Sequence, residues 1–160
     1  MEYACKAVGV KIIVVLGHTK CGAVKGAVHD VKMGNLTQLL SKIEPAIEAT
    51  KKQSAHSHLS DGDFTEAVAE ANVRLVAEQI SEKSAVLRGM LEKGEIGIVS
   101  GIYNVESGHV DFYDDEVTMF KHKNEWSNII VVDNALSWKV CAQKGLKTFR
   151  KRSVFQLQDS

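Results

Sequence analysis

The sequence predicts an α/β fold of three layers, a mostly parallel β-sheet flanked by helices. Lys11-Ile-Ile-Val-Val-Leu16 is an unbroken β-branched run, apolar on both faces, as an interior strand of a parallel sheet requires. A second strand pattern, Ile96–Asn104, follows only after a long stretch whose apolar residues recur at helical spacing. Strand, helices and strand in that order make a βαβ unit with a right-handed crossover.

The elements follow in chain order. Residues 1–10 read as the last turns of a helix ending near Gly9, begun at Met1 without a cap, as if continued from a longer chain. After the first strand, Gly17-His-Thr-Lys-Cys-Gly22 turns into a helix from about Ala23. Asn35 is positioned to cap a helix with Leu36, Leu39, Leu40, Ile43 and Ile47 on one face, which Pro45 should kink or restart. Gln53–Asp63 is polar and loop-like, and Asp63 with Glu66 has the spacing of a capping box for a long helix carrying Val68, Ala71, Leu75 and Val76 inward. Ser84 caps a further helix that Gly94 ends. Beyond the second strand, Glu106-Ser-Gly108 is a turn and His109–Tyr113 a returning strand. Asn128–Val132 is a last strand candidate, followed by a helix candidate near Ala135–Gln143 and then basic residues. The chain therefore divides into a partial α/β domain over 1–116 and a tail of unfamiliar sequence over 117–160.

At 160 residues there is room for one domain with a core. Lys+Arg and Asp+Glu both number 20, so no strong basic face is available for nucleic acid or an anionic membrane, and neither is expected as a partner. No apolar run approaches the roughly 18 residues of a spanning helix. With no leader pattern, the scattered Cys5, Cys21 and Cys141 fit a reducing, cytoplasmic setting.

Ligands of open α/β sheets bind beyond the carboxyl ends of the strands, and His18 and Cys21 stand there. An imidazole and a thiolate three residues apart on a tight turn can share one tetrahedral ion, for which zinc suits the mixed nitrogen and sulfur donors. Gly17 is expected to let the chain turn, and Gly22 to clear space where the backbone passes the site. On its own, H-x-x-C is a weak signal, more often a half-buried His and a structural Cys at a loop than a metal site. A phosphate-binding loop would need Lys and then Ser or Thr after Gly22, where Ala23 and Val24 stand. His29 is expected at a helix end, His109 and His122 at the surface, and the His56/His58 pair in a solvated loop. Cys5 is expected to be a helix-packing thiol.

The longer context is more specific. Tyr3-Ala4 and the run from Lys11 through Gly17-His-Thr-Lys-Cys-Gly-Ala-Val-Lys-Gly26 resemble the β-class carbonic anhydrases. So do Glu70-Ala-Asn-Val73, the strand Ile98–Asn104 and Glu106-Ser-Gly-His-Val110. The resemblance covers about residues 1–115. It implies the fold of that family without its N-terminal strand or strands and helical arm, a Zn2+ cofactor with His18 and Cys21 as two of three protein ligands, and carbon dioxide and bicarbonate as substrate and product. The family's third ligand lies in a Cys-x-Asp-x-Arg motif whose Asp and Arg orient water, and none of the three cysteines here begins one. No catalytic residue beyond the two ligands is identified. Two functions stay open: zinc-dependent reversible hydration of carbon dioxide, or a non-catalytic remnant or metal-binding interaction domain of the same fold. A homo-oligomer, dimer or higher, is expected, because an apolar strand lacking its sheet neighbour recruits another; the alternative source of that strand is the tail's own Asn128-Ile-Ile-Val-Val132.

Overall fold

The computed structural model describes residues 1–53 and 59–113 with their side chains, and the backbone of residues 129–133 and 138–141. A short helix α1 (Glu2–Lys6) passes through Gly9, at φ +82°, into strand β1 (Ile12–His18). Helix α2 (Gly22–Val28) and helix α3 (Gly34–Leu40) follow. A 3-10 turn at Ser41–Ile43 then leads to helix α4 (Glu44–Lys52), which restarts at Pro45 as that residue's missing N–H favours. The long helix α5 (Asp61–Lys83) and helix α6 (Ala85–Glu92) return the chain to β2 (Gly97–Tyr103) and β3 (Val110–Phe112). Strands β4 (Ile129–Asp133) and β5 (Trp138–Cys141) complete the described chain.

The sheet has the order β3-β2-β1-β4-β5. β1 runs parallel to β2, from Ile12 opposite Gly97 to His18 opposite Tyr103. On its other edge β1 runs parallel to β4, from Ile12 opposite Ile129 to Leu16 opposite Asp133. β3 and β5 pair antiparallel with β2 and β4 at the two margins. The edge of β1 from which self-association was expected is thus paired by the chain's own Ile129–Asp133, whose β-branched run suits an inner strand as well as Ile12–Val15 does.

Both faces of β1 are buried. Ile13 and Val15 pack with Val73, Ile80, Leu87, Met90, Ile96 and Ile98 under α5 and α6, while Ile12 and Val14 join Val99 on the opposite face. A separate cluster of Val24, Leu40, Ile43, Ala46, Ile47, Val68 and Ala69 joins α2, α3 and α4 to α5, and Cys21 belongs to it. Cys5 is 2% exposed in the first cluster, as its reading as a packing thiol requires.

Several local expectations are corrected. α3 starts at Gly34, so Asn35 lies inside it; Met33 is the N-cap, and its N–H donates to the Thr37 hydroxyl at 2.9 Å. α5 starts before Asp63: Ser60 is the cap, accepting from the Asp63 N–H at 3.2 Å while its hydroxyl donates to the Asp63 carboxylate at 2.6 Å. Such a cap is worth about 1 kcal/mol, and it releases Glu66 from any capping role. Residues 138–141, expected in a helix, form β5, where Trp138 and Val140 favour a strand. Ser84 caps α6 through the Leu87 N–H, and Gly94 ends it at φ +67°, both as the sequence indicates. His56, His58 and His122 lie outside the described residues.

Gly101 sits where β2 meets β3. A Cβ there would stand 2.6 Å from the Asp111 carbonyl oxygen and 3.2 Å from the Phe112 Cα, both backbone atoms that cannot swing aside. Gly101→Ala should cost roughly 1–3 kcal/mol, as overpacking of a tight interior does. Urea denaturation followed by circular dichroism should show the midpoint falling, and an unchanged midpoint would mean that β3 has room to move off.

Candidate metal centre

His18 ends β1, Cys21 stands one turn later as the N-cap residue of α2, and both line the same small cavity. Its volume is about 20 Å³, enough for one ion or one water, and its other walls are Gly17, Ala23, Val24, Ile43, Ala69 and Asn72. Two larger clefts, of about 570 and 530 Å³, lie along α5 and α6 and contain no histidine or cysteine. Size therefore points away from the chemistry here, and the donor atoms point to the smaller cavity.

The His18 Nδ1 lies 3.0 Å from the Thr19 carbonyl oxygen. A carbonyl only accepts, so Nδ1 carries the proton and donates it, and Nε2 keeps its lone pair. This is the tautomer in which Nε2 is the free metal donor. Cys21 is 9% exposed and forms no disulfide. Nitrogen and sulfur donors on one cavity of this size fit a zinc ion. Among the described residues no third His, Cys, Asp or Glu joins them in a group able to hold a metal.

The turn between the two donors is tied down on two sides. The Thr19 N–H donates to the Tyr103 carbonyl at 2.9 Å, and the Thr19 hydroxyl accepts from the Val105 N–H at 3.1 Å, which binds the turn to the end of β2. The Lys20 N–H donates to Glu66 Oε1 on α5 at 2.8 Å, and the Lys20 ammonium pairs with Glu106. Asn104 Oδ1 accepts from the N–H groups of Glu106 and Ser107, shaping the turn that presents Glu106. Spacing in the sequence gave no sign of Glu66 or Thr19 in these roles.

The two glycines have roles other than those expected. The sharp turn is made by Lys20, at φ +56°, and not by Gly17, which is still within β1. A Cβ on Gly17 would stand 2.5 Å from Val73 Cγ2 and 2.8 Å from Ile102 Cδ1, so its bareness lets α5 close onto the strand beside His18. A Cβ on Gly22 would meet nothing within 4 Å, so no close backbone approach requires a glycine there. His29 is the C-cap residue of α2, with Nε2 3.3 Å from Asp61, and His109 is exposed; neither approaches the cavity's lining.

A family model for carbonic anhydrases matches residues 1–110, that is, α1 through β2 and the turn into β3. A carbonic anhydrase of Pseudomonas aeruginosa is 31% identical over 114 residues, covering 71% of this chain and 51% of that protein. One of Synechocystis sp. is 30% identical over 119 residues, covering 71% and 42%. Among solved structures, the β-carbonic anhydrase CcaA superposes with a TM-score of 0.63 at 28% identity, covering 72% of this chain and 56% of that one. The β-carbonic anhydrase CafA of Aspergillus fumigatus gives 0.62 at 32%, covering 71% and 53%. The chain belongs to the β-carbonic anhydrase family. It spans about half the length of the curated relatives it matches, and β4 and β5 lie beyond the matched residues.

Two outcomes follow from this geometry. Gly17→Ala should lose roughly 1–3 kcal/mol, because Val73 is β-branched and cannot rotate clear; differential scanning calorimetry gives the change. Burial pushes the Cys5 thiol above its ordinary range, against the opposing pull of the amino terminus and Lys11, so it stays protonated at neutral pH. Iodoacetamide followed by peptide mass spectrometry should leave Cys5 unmodified in the native protein and modify it in denaturant.

Proposed function

We propose that this chain holds zinc through His18 Nε2 and Cys21 Sγ and serves the reversible hydration of carbon dioxide to bicarbonate. The observation that carries this is the shared cavity, with the ring's other nitrogen already engaged by the Thr19 carbonyl. Zinc, when bound, supplies a Lewis acid that lowers the pKa of water from 15.7 to about 7. The chain's own contribution is placement: His18 and Cys21 set the donor atoms, while Ala23, Val24, Ile43 and Ala69 give the ion-sized cavity its apolar walls. Asn72, buried beside them, is the one polar side chain in the lining besides the two donors.

These 160 residues carry two of the three ligands that the family's design uses, and catalytic zinc sites ordinarily hold three with one position open. Hydration by this chain alone should therefore be far slower than by a three-ligand site. The absence of a third candidate among the described residues favours a second role, a metal-binding domain of the same fold without turnover. We propose a cytoplasmic setting, in keeping with the free thiols of Cys5 and Cys21; no helix among the described residues is long and apolar enough to cross a membrane. Self-association into a homo-oligomer is proposed through β3 and β5, the outermost of the described strands, since β1 is already paired on both sides.

Elemental analysis of protein purified without chelator should find zinc in the wild type and a clear loss in both Cys21→Ser and His18→Ala. Equal zinc in all three would end the ligand assignment. Stopped-flow hydration with added zinc then separates the two roles: slow turnover abolished by His18→Ala supports the enzyme, and zinc uptake without turnover supports the binding domain.

A further inference from the structure

We propose that Glu66 is a positioning residue for His18, acting through the peptide that joins Thr19 to Lys20. Its consequence for metal binding rests on His18 being a ligand as set out above. A trans peptide directs its carbonyl and its N–H to opposite sides. Here the carbonyl accepts from His18 Nδ1 at 3.0 Å, and the N–H of the same peptide donates to Glu66 Oε1 at 2.8 Å. Imidazole, peptide and carboxylate therefore form one chain of hydrogen bonds, with a negative charge at the far end.

The arrangement resembles in its physics the carboxylate that orients a metal-bound histidine directly, with a peptide inserted between the two. A carboxylate that accepts from an amide N–H draws the amide's electrons toward its oxygen, so the carbonyl becomes a stronger acceptor for the ring. Two effects follow for His18. The proton is held on Nδ1, which keeps Nε2 available, and the ring plane is fixed relative to the turn.

Three features make Glu66 a partner of this peptide and not of its own helix. The α5 N-terminus is capped by Ser60, so the Glu66 carboxylate is not needed there. Glu66, Ala69 and Asn72 follow at helical spacing, and Ala69 and Asn72 line the cavity, so one stripe of α5 faces the site. Lys20 adopts φ +56°, a conformation that a side chain other than glycine takes at a cost, and the Glu66 bond holds its N–H there. The Lys20–Glu106 pair is different in kind: both side chains are more than half exposed, and solvent screens them.

The test compares Glu66→Ala, Glu66→Gln and Glu106→Gln with the wild type. Long-range proton–nitrogen correlation spectra of metal-free protein, with His18 assigned through His18→Gln, report which ring nitrogen carries the proton. Zinc affinity comes from competition with a chromophoric chelator, and circular dichroism checks the fold. The wild type should hold its proton on Nδ1. Glu66→Ala should move population to the Nε2–H form and weaken zinc about tenfold to a hundredfold, the range for loss of a ligand's orienting partner. Glu66→Gln, which keeps an oxygen acceptor without charge, should lie between, and it stands in if the alanine variant unfolds. Glu106→Gln should leave the tautomer as in the wild type. A folded Glu66→Ala with wild-type ring signals would overturn the proposal, as would a wild type already in the Nε2–H form. A changed tautomer with unchanged zinc affinity would do the same. A wild type that takes up no zinc sinks the metal assignment instead, and the spectra still decide whether Glu66 acts on His18.

Discussion

β1 is an aliphatic strand buried on both faces and paired on both edges, and the rest of the structure is arranged around it. Each of its buried aliphatic side chains contributes about 1.5–3 kcal/mol relative to exposure, which makes the strand a major source of stability. That symmetry also creates a difficulty. In a half-buried strand a slip of one residue would put apolar side chains in water, but here both faces are apolar and the pattern alone does not forbid it. Gly17 resolves the matter. It is the one position along β1 without a side chain, and it lies where Val73 and Ile102 leave no room for a Cβ. A slip of one residue would bring Leu16 or His18 beneath Val73. The same contact that closes α5 onto the sheet therefore fixes how far along the sheet His18 stands.

Beyond Gly17 the constraint passes from packing to hydrogen bonds. Thr19 is tied to β2 through its N–H and hydroxyl, and Lys20 to α5 through its N–H. Lys20 takes the left-handed conformation that brings the chain around to Cys21, and the cost of that conformation is met by these bonds. A metal that needs two donors from one turn loses affinity if the turn must first be ordered. Here the ordering is done by groups outside the turn, from two different elements.

Much of this was legible in the sequence. The doubly apolar run of β1, the Ser84 cap, the Gly94 stop and the β2–β3 turn are local patterns with local causes. His18 and Cys21 were legible as a pair because their three-residue spacing needs no knowledge of distant elements, and the structure brings both to one cavity. What escaped was set by distant contacts. Glu66 reads as part of a capping box until Ser60 is seen to hold that place, and its partner is Lys20, 46 residues away. Gly22 seemed to be the spacer and Gly17 the turn, whereas the packing of α5, invisible in a linear pattern, makes Gly17 the spacer. The helix expected near Ala135–Gln143 gave way at 138–141 to a strand because an inner strand, β4, offered an edge to pair. The propensities of Trp138 and Val140 acquire their meaning only there.

Among the described residues, the pairing on the two flanks of β1 differs at its carboxyl end. On the β2 side the pairing continues to His18 opposite Tyr103, and the hydrogen bonds of Thr19 extend it further. On the β4 side the described pairing runs to Leu16 opposite Asp133. A strand's last paired row sets how rigidly the residues after it are held. Among the described residues, the turn after His18 is held by one sheet neighbour and one helix, β2 and α5. In the arrangement proposed above, the Glu66 bond and the β2 tether together keep the Thr19–Lys20 peptide, and with it the His18 ring, in place.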